Sequence, residues 1–301
     1  MPAPNVVAPI AVGLDSAGVV HTDAACRKCS YNVRGLPMTG RCPECRTPVG
    51  LAVHGDLLRY SMPKWVQTLR RGVKSIVTGL AVMVIGVMIL LCFTLVVAFM
   101  KIGGPMATAI PLTLMALCVI VGYVFMLVGS WLLTEPDPSG IGEDRYGTQR
   151  KIIRVSLLVG IANILLSIAQ QSIAMPPLAY TTLQFVAFAS AVFGVVGLFA
   201  LLSYLSKLAT RIPDPKLSER ASFLMYALGI SYSAFIGMGL IGQLLGGPRS
   251  PAVAALSCFN LVIGLLVLIF GIRYLVMLEK FGKAFKEQAA LSEQIWGQEA
   301  T

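Results

Sequence analysis

The chain has 301 residues, 56% of them hydrophobic and 13% charged, with a mean hydropathy of +0.78 and a net charge of +10. A soluble domain carries about 25% charge, so this balance excludes an ordinary water-soluble globule and points to a polytopic membrane protein. The positive charge does not argue for nucleic acid, because the cations lie between and beside long apolar runs, where membrane topology alone places them.

Residues 1–24 read as a flexible lead. Pro2, Pro4 and Pro9 interrupt it and it holds no Lys or Arg, so it lacks the positive start and unbroken apolar core of a secretory signal. Residues 25–56 carry the strongest motif. Cys26-Arg-Lys-Cys29 is followed by twelve residues and then by Cys42-Pro-Glu-Cys45. Each CxxC knuckle turns its chain so that two thiolates converge, and two knuckles make a tetrahedral four-sulfur set. So small a head has too few apolar side chains to fold unaided, and metal binding in such modules contributes roughly 10–16 kcal/mol. The spacing predicts a structural Zn²⁺ ribbon held by Cys26, Cys29, Cys42 and Cys45. A rubredoxin-like iron site shares the Cys-Pro-x-Cys knuckle but usually spaces its knuckles further apart. Ser30 and Arg46 stand where such knuckles often have glycine. His21 and His54 flank the ribbon, which does not need them as ligands. Reduced thiols place the head in a reducing compartment. Cys92, Cys118 and Cys258 lie singly in apolar runs and read as small packing residues.

The stretch Cys26-Arg-Lys-Cys29-Ser-Tyr-Asn-Val-Arg-Gly-Leu, with Arg41-Cys-Pro-Glu-Cys45, resembles the N-terminal ribbon of a group of uncharacterised bacterial multi-span membrane proteins. The resemblance covers about 20 residues by motif, and beyond them only a general layout of ribbon, Trp-bearing linker and apolar spans. It implies a membrane protein with a cytoplasmic zinc ribbon, and it implies no activity.

Residues 57–75 read as an interfacial connector helix. Pro63 suits a first turn. Trp65, Val66 and Leu69 share one side, while Lys64, Arg70, Arg71 and Lys74 gather on the other and at the end, as in a helix lying at headgroup level. Residues 76–278 form the expected domain of six transmembrane helices: Ile76–Met100, Met106–Leu133, Ile152–Met175, Leu178–Ser206, Ala221–Leu245 and Ala252–Leu278. Runs of this length span a hydrocarbon core. The fold class is therefore an all-α polytopic membrane protein with a small N-terminal zinc-ribbon module. Of its 24 cations, 22 fall in the head, the connector and the segments on one side, against only Lys101 and Arg249 on the other. The positive-inside rule then puts both termini in the cytoplasm of a bacterial inner membrane.

Pro136-Asp-Pro138 and Pro213-Asp-Pro215 follow the second and fourth spans. They read as helix stops, with docking of the ribbon as the functional alternative. Small and polar residues stripe three spans: Ser156, Gly160, Asn163, Ser167 and Gln171 in the third, Gly229, Ser233 and Gly237 in the fifth, Asn260, Gly264 and Gly271 in the sixth. Such stripes suit helix packing, and the expected partners of the third are the fifth and sixth. Residues 279–301 form an amphipathic tail with Phe281, Phe285, Leu291, Ile295 and Trp296, suited to the membrane surface or a partner helix.

Beyond the lipid bilayer, the expected partner is a protein or a second copy of the chain, with the ribbon as the contact. A transporter or channel for a neutral or polar solute is the alternative. Ion pathways usually carry intramembrane charge, and none lies deep in these spans. Enzymatic function finds no support: both histidines lie in the head, and a four-cysteine site leaves no open position. Nucleic-acid binding by Arg27, Lys28, Arg34, Arg41 and Arg46 has only Tyr31 as a stacking face.

Overall fold

The computed structural model describes residues 13–54, 57–100, 105–138, 143–172, 176–212, 214–244 and 251–297. Among them are a short helix α1 (Val49–Val53), a 3-10 turn (Leu58–Tyr60) and six long helices: α2 (Pro63–Met100), α3 (Pro105–Leu133), α4 (Glu143–Ser172), α5 (Pro177–Ala209), α6 (Pro215–Leu244) and α7 (Pro251–Gly297). Five of these six begin at proline, whose fixed φ and missing N–H cost nothing in a first turn. The connector and the first apolar run are one uninterrupted helix. So are the last run and the tail. Strand pairing among the described residues is limited to isolated bridges in the head.

Five segments are long and apolar enough to cross a membrane: Pro63–Val97, Ile110–Leu133, Thr182–Ala209, Lys216–Met238 and Val262–Gly297. The expected third span, on α4, is not among them. Arg150, Lys151 and Arg154 interrupt its described part, and its side chains beyond residue 166, with residues 173–175, lie outside the described residues. α2 packs on α3 and α7, α4 on α5, α5 on α6 and α6 on α7, while α3 touches α4 briefly. Six helices thus close a ring in chain order. Large apolar side chains face outward along it, among them Leu95, Phe99, Leu165, Phe185 and Phe259, as a hydrocarbon solvent requires.

The tightest seam joins α2 to α3 through glycines. A Cβ on Gly72 would lie 2.8 Å from the Gly129 carbonyl oxygen, and one on Gly129 would lie 2.7 Å from that of Gly72. Gly79 and Gly122 repeat the reciprocal approach at 2.5 and 2.7 Å, and Gly86 meets Cys118. Positions 72, 79 and 86 are a heptad apart, so the glycines stay on one antiparallel seam only if the pair coils left-handedly. The absence of side chains lets the two backbones touch, which is the main attraction available between helices in lipid.

The stripes of the later spans pack differently from expectation. α4 rests on α5, with Ser156 against Gly197, and meets α3 where the Tyr123 hydroxyl lies against Gly160 and donates to the Leu157 carbonyl at 2.9 Å. It does not use Gly229 or Gly237: Gly229 faces Phe199, and a Cβ on Gly237 would meet nothing within 4 Å among the described residues. The side chains of Ser167, Gln171 and Asn260, like Cys258, lie outside the described residues.

One end of the ring, where the head sits, holds a dense core that lipid alone does not account for. Trp65, Val66, Leu69, Val73 and Ile76 are buried there with Leu202, Tyr204, Leu205, Phe281 and Phe285. Trp65, expected at headgroup level, is instead inside, its indole N–H donating to the Glu135 carbonyl at 3.0 Å. The tail's apolar face finds its partner in the chain's own connector. The two Pro-Asp-Pro motifs part company as well. Asp214 accepts N–H bonds from Lys216 and Leu217 at the start of α6. Asp137 is buried and pairs with Arg211 at 3.0 Å.

Changing Gly79 to Leu should force α2 and α3 apart and lower the thermal midpoint in detergent, a loss of about 1–3 kcal/mol from overpacking. Gly237→Leu should leave the midpoint unchanged. Thermal unfolding followed by size-exclusion chromatography distinguishes the two, and the opposite ranking would remove the glycine seam as a determinant of packing.

Candidate metal centre

The head is built twice. Cys26 N–H donates to the Tyr31 carbonyl at 2.8 Å, Ser30 N–H to Cys26 at 2.9 Å and Val33 N–H to Ala24 at 2.8 Å. Sixteen residues on, Cys42 N–H donates to Thr47, Arg46 N–H to Cys42 and Val49 N–H to Gly40, each at 2.9 Å. The bridges Ala25 to Asn32 and Arg41 to Pro48 complete the same pair of hairpins. Val33 and Val49, equivalent in the repeat, are buried beside Cys26, Cys42 and Val20 in the small core of the head.

Ser30 and Arg46 occupy the left-handed region, at φ 62° and 57°. These are the positions where glycine would be expected. An L-residue there costs roughly 1–2 kcal/mol, yet both turns form and no ligand is lost.

The two hairpins bring all four predicted cysteines together. Their sulfurs lie within 4.8 Å of one another, with Cys26 and Cys45 at 3.5 Å and Cys29 and Cys42 at 3.5 Å. A regular tetrahedron with metal–sulfur bonds of about 2.3 Å has edges of about 3.8 Å, so one ion fits the set. Burial pushes the Cys45 thiol up, but the Thr47 hydroxyl, 3.2 Å away, the Thr47 N–H and the neighbouring thiols outweigh it and bring it down to about 6. The Tyr31 N–H lowers Cys29, but burial and the other three sulfurs push it up to about 12. A divalent cation held by the four sulfurs would stabilise their thiolate forms. Neither histidine joins the set: His21 pairs with Asp15 at 3.5 Å, and His54 lies 2.8 Å from the Met38 sulfur and stacks on Tyr60.

The two halves of the head have different surroundings. The second hairpin is buried from Thr47 to Leu51, with Gly50 so close to the Tyr60 ring that any Cβ would collide. Arg41 donates to the Ile295 and Trp296 carbonyls at the end of α7, at 3.0 and 2.8 Å, with its guanidinium 5.7 Å from the Trp296 ring. The Trp296 indole N–H in turn donates to the Tyr60 carbonyl at 3.1 Å. In the first hairpin Arg27, Lys28, Ser30 and Tyr31 are exposed, and Ala25 stands at the position equivalent to Arg41. From sequence Arg41 reads only as one of the head's basic residues, because its partners lie more than 250 residues away.

No family model matches the chain, and neither a curated protein nor a solved structure is similar to it.

Cys42→Ser should abolish stoichiometric metal in the purified protein and expose the head to protease while the long helices stay folded. Arg41→Ala should retain the metal but release the head from α7, removing hydrogen bonds worth roughly 1–3 kcal/mol in total. Elemental analysis with hydrogen exchange at 291–297 separates the outcomes. Full metal in Cys42→Ser would dismiss the four-sulfur site, and unchanged exchange in Arg41→Ala would dismiss the docking.

Proposed function

We propose that this is a non-enzymatic integral membrane protein with six spans, whose structural zinc ribbon stands on the cytoplasmic side of a bacterial inner membrane and binds a protein partner through its first hairpin. Cys26, Cys29, Cys42 and Cys45 are the zinc ligands in this reading, since an all-thiolate tetrahedral set suits zinc and its closed shell leaves only a structural role. The third of these spans is α4. Its place in the ring between α3 and α5 supports this, with Arg150, Lys151 and Arg154 at its cytoplasmic end. The excess of cations on the side of the head supports the orientation.

The observation that carries the partner reading is the broken symmetry of the head. Two equivalent hairpins hold the metal site. The one with Arg41 is consumed by α7, and the other presents Arg27, Lys28 and Tyr31 outward. Charge and an exposed aromatic at a rigid tip suit an acidic protein surface. Passage of a neutral solute is the second reading, favoured by a cavity lined by all six helices of the ring.

A photoreactive residue at Tyr31, activated in intact membranes, should give one discrete protein adduct. Arg27→Glu with Lys28→Glu should abolish it without loss of metal. An adduct indifferent to that reversal, or no adduct at all, would refute the partner reading.

Orientation has its own test. A reporter active only outside the cytoplasm, fused at Thr301, should stay silent, and one inserted at 246–251 should respond. The reverse pattern would place the head outside and overturn the topology.

A further inference from the structure

The ring of helices encloses a cavity of about 580 Å³, within the range of small-molecule sites. Every long helix contributes: Leu80 and Met83 from α2, Ser130 from α3, Ser156 from α4, Gly194 from α5, Tyr232 from α6 and Tyr274 from α7. Among the described residues, no Asp, Glu, Lys, Arg or His lines it. Its lining runs from Ile153 and Tyr274, which also belong to the head-end core, to Leu80 and Met83 in the apolar run that begins at Ile76.

Two of the five hydroxyls on its wall are engaged by protein. Tyr123 donates to the Leu157 carbonyl at 2.9 Å and Ser156 to the Ile153 carbonyl at 2.8 Å. Two others, the Ser130 Oγ and the Tyr274 hydroxyl oxygen, are buried and have no hydrogen-bond partner among the described residues, in side chains of residues only 1% and 5% exposed. A buried hydroxyl without a partner is a standing cost to the fold, and two on one cavity wall mark where a bound molecule would place its own polar atoms.

We propose that this cavity binds a neutral, mainly apolar molecule carrying hydroxyl, ester or ketone oxygens, held by hydrogen bonds to Ser130 and Tyr274. The uncharged wall rejects ions, because a charge brought into the cavity would find no counter-charge. The apolar body fills the space between Leu80, Leu201, Leu228 and Leu268. The shared chemistry is a neutral oxygen beside hydrocarbon. Its source is either the glycerol and ester region of a bilayer lipid or a free apolar alcohol or ketone. The site is independent of the ribbon and of its partner.

The test uses the full metal-loaded chain in vesicles of phosphatidylethanolamine and phosphatidylglycerol, with a long-chain fatty alcohol carrying a photoreactive diazirine. Labelled peptides should map to the cavity wall, around 123–130 and 271–275. Ser130→Ala with Tyr274→Phe should cut labelling about tenfold or more, with no fall in thermal midpoint, since those hydroxyls have no partner among the described residues. Gly271→Phe should block labelling by filling the space, because a Cβ there meets no atom within 4 Å. Gly194→Leu does the same from α5 should the first variant fail to fold. Excess unlabelled dodecanol should compete if the source is a free alcohol, and diacylglycerol if it is a lipid. A fatty acid or alkylammonium of equal length should not compete. Labelling confined to outward-facing residues, unaffected by the double variant and both filling variants, or displaced equally by the charged chains, would overturn the proposal.

Discussion

Arg211 is the residue on which the head end of the molecule depends. Its guanidinium lies 3.0 Å from Asp137 and 3.1 Å from the Ser61 hydroxyl, with its charge over the Trp65 ring at 5.2 Å. Its own carbonyl accepts from Leu58 N–H at 3.0 Å. One side chain therefore ties the segment after α5 to the segment after α3, to the 3-10 turn and to the first turn of α2. Both charges are almost wholly out of water. Such a pair adds little net stability over an apolar equivalent, yet losing one partner costs about 3–5 kcal/mol because it strands the other. Its contribution is register: Asp137 must lie where Arg211 is, and the loops are set by that requirement.

The head obeys a similar logic at smaller scale. Two hairpins with the same hydrogen bonds each supply two sulfurs, and each bears one L-residue in a left-handed turn. Neither hairpin alone brings together more than two of the four sulfurs, and four thiolates within 4.8 Å of one another would repel unless a cation joined them. The strain at Ser30 and Arg46 is small beside the roughly 10–16 kcal/mol that metal contributes to such modules, which explains why glycine is dispensable there.

Much of this was legible in the sequence because it is local. The CxxC pairs marked the four cysteines, apolar run length marked the helix ends away from the head to within a turn while α2, α4 and α7 run well past the expected spans at the head end, and proline marked five of the six long starts. The misses share a cause. Arg211, Asp137 and Trp65 acquire meaning only when segments some 70 to 150 residues apart meet, and no local pattern announces that. The same tripeptide, Pro-Asp-Pro, caps a helix in one place and carries a buried charge in another. The heptad of Gly72, Gly79 and Gly86 was readable but was masked by the more conspicuous polar stripe of α4. Of that stripe, Ser156 meets α5 and Gly160 meets α3 rather than the expected fifth and sixth spans, because ring order depends on helix-to-helix contacts that periodicity does not encode.

The unbroken length of α7 has a mechanical consequence. Its 47 residues make a rod of about 70 Å at 1.5 Å per residue. Gly271 and Tyr274 stand on the cavity wall partway along it, and Trp296, whose carbonyl holds Arg41 of the head, stands at its tip. The interval from 271 to 296 is 25 residues, about 38 Å of lever arm. A change of about 5° in the inclination of α7 at the cavity would swing that tip by roughly 3 Å. The head is fastened to the tip of that rod through Arg41, so any change in the inclination of α7 is carried, magnified, to the four cysteines.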